Sequence, residues 1–95
     1  MNVQLYNNLN GYKRDMTIWF KNQVTNFNIQ YNIDEFINEL EIVYKECDQY
    51  VQMNNIESIT EIKKLFIRRV DEFVDNKLSD LRKRRDLNRY KAFIL

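Results

Sequence analysis

A chain of 95 residues, 44% of them hydrophobic and 31% charged, is one small domain, because a second core would leave each half too small for burial to offset chain entropy. The lone cysteine excludes an internal disulfide framework and agrees with a reducing compartment, and the absence of histidine removes the commonest metal ligand and the usual proton shuttle near neutral pH. With no proline and one glycine the chain lacks the turn residues that a multi-stranded β domain recruits, so an all-α fold is expected.

A mean hydropathy of −0.63 marks a soluble chain. The opening Met-Asn-Val-Gln carries neither a basic leader nor a long apolar run, so no secretory signal and no membrane span are expected, and cytoplasmic localisation follows. Heavy use of Asn, Ile, Lys, Tyr and Phe is the bias of A/T-rich coding sequence and suggests a low-GC bacterium, or a phage or other mobile element carried by one.

The first predicted helix covers about residues 3–27. Leu5, Tyr6, Leu9, Tyr12, Met16, Trp19, Phe20, Val24 and Phe27 fall within an arc of about 140°, with Gly11 on the opposite, polar side. The helix can run through Gly11 at a cost of about 1 kcal/mol relative to Ala. Trp19 and Phe20 point about 100° apart, which makes it hard for both to be central to one small core; both are read as core, with one of them as a partner anchor the alternative.

The second predicted helix, about 33–52, has a clear start signal. Asn32 can cap it, with Glu35 three residues on and Tyr31 and Phe36 placed for a hydrophobic staple. Ile33, Phe36, Ile37, Leu40, Val43, Tyr44, Cys47, Tyr50 and Val51 form its stripe. The outer face is acidic, with Asp34, Glu35, Glu39, Glu41, Glu46 and Asp48 against Lys45.

Ser58-Ile59-Thr60-Glu61 is a capping box opening the third predicted helix, about 58–81, whose stripe is Ile59, Ile62, Phe66, Val70, Phe73, Val74, Leu78 and Leu81, with Arg69 at one edge. Past Leu81 the pattern fails. Arg84 and Arg85 stand where the stripe would continue, and Leu87, Tyr90 and Ile94 lie on a face rotated by more than about 90°. The stripes match in length at roughly 27–33 Å, and the connections are short. These features predict an antiparallel three-helix bundle over residues 1–81 and a basic C-terminal helical extension, with an apolar end, over 82–95.

Chemistry has little to stand on. There is no glycine-rich phosphate loop, zinc-ligand spacing or nucleophile elbow, so no enzyme activity, cofactor, metal site or small-molecule substrate is expected. Glu35/Glu39 and Asp71/Asp75 are acidic pairs one helical turn apart, read as solvated surface, and Cys47, on the apolar stripe with no activating neighbour, is read as a packed, inert thiol.

The sharpest feature is the terminal segment. Arg82, Lys83, Arg84, Arg85, Arg89 and Lys91 stand against Asp86 alone, with Tyr90, Phe93, Ile94 and Leu95 interleaved, while residues 1–81 are net acidic. These ten basic and apolar residues are the candidate partner-binding set. Ile18, Ile42 and Leu65 point away from their stripes and are candidate interface positions. The expected function is a non-enzymatic helical interaction protein, an adaptor, inhibitor or assembly component that binds a larger protein or a second copy of itself. The alternative is a nucleic-acid-binding accessory protein using the basic segment.

Overall fold

The computed structural model describes residues 3–94, with side chains for residues 3–90. It holds three helices, α1 (Val3–Asn26), α2 (Ile33–Met53) and α3 (Ile59–Ile94), and no strand among the described residues. Residues that meet across α1 and α2 run in opposite orders: Leu9 with Tyr44, Lys13 with Glu41, Phe20 with Phe36. Across α2 and α3, Tyr44 meets Phe66 and Phe36 meets Phe73. Each helix thus reverses the one before it, and the fold is the antiparallel three-helix bundle that the stripes predict.

Asparagine does the work of the missing glycines at both turns. Asn28 and Asn55 have positive φ, 55° and 50°. In each turn the residue after the asparagine sends its N–H back to the last helical turn: Ile29 to the Val24 carbonyl at 2.8 Å and Ile56 to the Val51 carbonyl at 3.0 Å. Asn28 and Asn55 themselves donate to Thr25 and Gln52. This is the paired C-terminal bonding that satisfies otherwise orphan carbonyls, and Asn is the residue after Gly that best tolerates the left-handed conformation. At the helix starts, the Asn32 side chain accepts from the Asp34 N–H at 3.0 Å and Ser58 Oγ accepts from the Glu61 N–H at 3.3 Å, as the capping signals predict.

The core is aromatic at its middle. Phe20 and Phe36 are fully buried and stack with centroids 4.1 Å apart, and Phe36 stacks on Phe73 at 5.4 Å. Tyr44 places its ring edge on Phe66 and donates its hydroxyl to the Leu9 carbonyl at 2.5 Å. Side-chain pairs also tie the helices to one another: Lys13 to Glu41, Lys77 to Glu39, and the Tyr12 hydroxyl to Asp71.

Several stripe residues prove to be rim. Tyr6, Ile37, Tyr50 and Ile59 are exposed, as is Trp19 at 41%, while its neighbour Phe20 takes the core position. Leu65 errs in the other direction. Expected outside the stripe, it is buried at 7% exposure. The buried row Ile62, Phe66, Val70, Val74 climbs around α3 by about 40° at each four-residue step. A single averaged axis therefore misplaces Leu65, which lies inward at the start of the helix where the row begins.

Val70 is fully buried. Val70→Asp is expected to leave the chain unfolded, and a native far-UV spectrum with unchanged melting temperature would contradict this packing. Gly11 has open space around it, the nearest atom to an added Cβ being the Arg14 side chain at 3.9 Å. Gly11→Ala should accordingly add about 1 kcal/mol, visible in thermal melts as a rise of roughly 4–8 °C.

Candidate interaction surface at the end of the third helix

Helix α3 does not stop where its first stripe ends. It runs unbroken for 36 residues against 24 in α1 and 21 in α2. At about 1.5 Å per residue it outreaches its neighbours, and the molecule is 56 Å long and 22 Å across. Its last turns form an arm beside and beyond the α1–α2 loop.

The first part of the arm is bound to the bundle. Arg85 stands where the stripe would continue, and its Nη1 donates to the Phe27 carbonyl at 2.8 Å. The guanidinium groups of Arg82 and Arg85 lie 4.5 Å and 5.7 Å from the Phe27 ring centroid. Phe27 is thus a pedestal on which two guanidinium groups rest. Nothing in a helical wheel marks Phe27 for this role. The signal is the coincidence of an aromatic at the end of one stripe with an arginine continuing another.

The cations expected to act together are not equivalent. Arg84 pairs with Asp80 at 3.1 Å, and Arg85 holds Asp86 at 2.9 Å. Arg82, Lys83 and Arg89 have no ion pair among the described residues. Arg84, Arg85 and Arg89 line one side of an open groove, with Asn28, Gln30 and Tyr31 of the loop opposite. Leu87 and Tyr90 are 52% and 63% exposed and lie with Lys83 within about 60° on another side of the arm. The side chains of Lys91, Phe93 and Ile94, and the whole of Leu95, lie outside the described residues.

The remaining candidates are scattered. Ile18 and Ile42 are each 54% exposed on different helices, as expected, whereas the buried Leu65 is no interface residue in the monomer. The acidic pairs are partly spoken for, Glu39 by Lys77 and Asp71 by Tyr12. No group of three or more carboxylates or thiols among the described residues could hold a metal ion, and no described helix is long and apolar enough to cross a membrane. Comparison of the chain with protein-family models, with curated proteins and with solved structures finds no match.

Cys47 is buried beneath a shallow cleft between α2 and α3 lined by Val43, Glu46, Tyr50, Leu65 and Arg69. Burial pushes its thiol up from the usual 9.0 to about 11, with Arg69 opposing and Asp48 and Glu46 adding to the rise. Because the folded pKa is raised, its stabilising effect is whole below the unfolded pKa and is lost as pH climbs through the folded one. The melting temperature should fall between about pH 9 and pH 11. The same burial raises the Tyr44 and Tyr12 hydroxyls and extends the loss to higher pH. Cys47→Ala should flatten the lower part of that profile, and a profile unchanged by the substitution would show that the thiol does not titrate in this range.

Proposed function

We propose that the chain is a non-enzymatic interaction protein that presents the α3 arm to a macromolecular partner. One observation carries this reading: an unbroken helix, fixed to the bundle, holds Leu87 and Tyr90 exposed on the side that carries Lys83, with Arg82 and Arg89 on the adjoining side. Aromatic and aliphatic side chains ringed by cations are the composition of an interface anchor with a polar rim, and a preordered arm loses little entropy on docking. A protein partner with an acidic, partly apolar surface fits that chemistry best.

A second reading has its own support in the groove. Arg84, Arg85 and Arg89 beside loop amides offer phosphate contacts, and Tyr90 is free to stack on a base. With Arg84 and Arg85 already paired to acids, this contact would rest on Arg82, Lys83 and Arg89. Log affinity for duplex should then fall against log salt with a slope of about −3.

Titration of labelled duplex and single strands at about 50 and 200 mM salt separates the two readings. The protein-partner reading expects no binding to either strand form at the lower salt. Tight binding with the slope above, reduced by about two when Lys83 and Arg89 are both changed to Ala and indifferent to Leu87→Ala, would reverse the order in favour of nucleic acid.

A further inference from the structure

The outer side of the arm is convex, as any single helix is, but the groove between the arm and the α1–α2 loop is concave. Leu81, Ile29 and Tyr31 form its apolar floor, the first buried and the other two half-buried against the core. Three exposed carboxamides stand around that floor, Asn28 and Gln30 from the loop and Asn88 from α3. Arg84, Arg85 and Arg89 come from the arm, and Glu35 comes from α2. No ion pair joins Glu35 to any of the three arginines, so both signs face an open space of about 670 Å³. Clefts of roughly 300–1,000 Å³ bury a small ligand. The groove therefore suits a few residues of a chain and not a folded face.

The arginines are not equally available. Arg85 is already engaged with the Phe27 carbonyl and with Asp86. Arg89 has no ion pair among the described residues, and Arg84 holds Asp80 through an exposed pair one helical turn apart, which contributes little and yields to a better acceptor. Two guanidinium groups are thus free to take carboxylates in the two-pronged geometry that suits them. The carboxamides supply the rest of the match. Each offers donors and an acceptor, as a peptide bond does, and an extended main chain has both of its own unpaired.

Resting on the reading of the arm as an interaction surface for a protein, we infer that this groove receives an extended segment of the partner that carries aspartate or glutamate beside an aliphatic residue. Its carboxylates meet Arg84 and Arg89, and its aliphatic side chain lies on the floor of Ile29, Tyr31 and Leu81. Main-chain N–H groups face Glu35. That carboxylate distinguishes a peptide from a nucleic-acid strand. A strand carries a negative charge at every nucleotide, so a phosphate near Glu35 is repelled, whereas a peptide can turn amide donors towards Glu35 and its acids towards the arginines.

The test is a selection of random linear peptides, displayed on phage, against the full chain at low salt. The most enriched sequence is then synthesised, labelled and titrated by fluorescence anisotropy. Enrichment of sequences that set Asp or Glu beside Leu, Ile or Val is expected. Arg84→Glu together with Arg89→Glu should weaken the labelled peptide at least about tenfold, because like charges then face each other. Leu87→Ser with Tyr90→Ser should leave its affinity nearly unchanged. Far-UV dichroism checks that both variants remain helical. If the arginine variant loses its helix, Gln30→Glu on the loop decides the matter, unchanged binding overturning the inference and weakened binding supporting it. A blank selection, enriched sequences without acids, or an acidic peptide indifferent to the groove substitutions would each overturn it. Peptides that depend on Leu87 and Tyr90 alone would overturn the groove and leave the reading of the arm standing. Duplex or single strands that displace the acidic peptide at equal concentration would overturn both and return the arm to nucleic acid.

Discussion

Phe36 is the contact on which the rest of this molecule depends. Its ring is fully buried and stacks on Phe20 of α1 at one face and on Phe73 of α3 at 5.4 Å. A side chain that touches both neighbouring helices sets rotation and height for all three at once, which a Leu or Val in its place could do only loosely. Truncation at such a site removes its transfer energy and leaves a cavity that three helices border, a loss of roughly 3–5 kcal/mol in a domain of this size. Tyr31 extends the column with its edge on Phe20 at 5.7 Å, and the Lys77 ammonium closes over the Tyr31 ring. The α1–α2 loop is held down by that extension, and the loop supports the arm.

Polar groups around this column select the arrangement more than they strengthen it. Lys13–Glu41 and Lys77–Glu39 are only partly buried, where ion pairs contribute little net stability. A bundle of the opposite hand would exchange the neighbours of α2 and break both pairs at once. The Tyr44 hydroxyl acts more strongly, because it is buried and the Leu9 carbonyl is its acceptor. Any shift of α1 along α2 would strand that hydroxyl without a partner.

The elements were legible in the sequence because each one is specified locally. Asn32 and Ser58 mark helix starts by side-chain acceptors, and the stripes of Leu5 to Val24 and of Phe36 to Val51 mark their buried faces by periodicity alone. What could not be read is what depends on where a second helix lies. Leu65 is buried because the contact row of α3 winds around the helix, and Trp19 is half open because Phe20 occupies the one central position available. Asn28 and Asn55 show a third case. Composition predicts turns built without glycine, but the left-handed backbone at those two residues is a property of helix ends meeting a reversal of direction.

The arm brings the same distinction to function. Basic residues at the C-terminal end of α3 favour the helix on their own account, because they offset the negative end of its dipole. An isolated segment of about ten residues would still be marginal in water. Arg85 changes that balance by extending the bundle's hold one turn past Leu81, donating to the Phe27 carbonyl and resting with Arg82 on the Phe27 ring. The turns beyond then propagate from a formed helix rather than nucleate. The charge at Arg82 and Arg85 is thus explained in part by folding. Leu87 and Tyr90 have no such explanation: the fold holds them largely in water on one side of the helix, where they leave apolar area exposed. The case for recognition therefore rests on two uncharged side chains, and the cations around them set its sign and its speed.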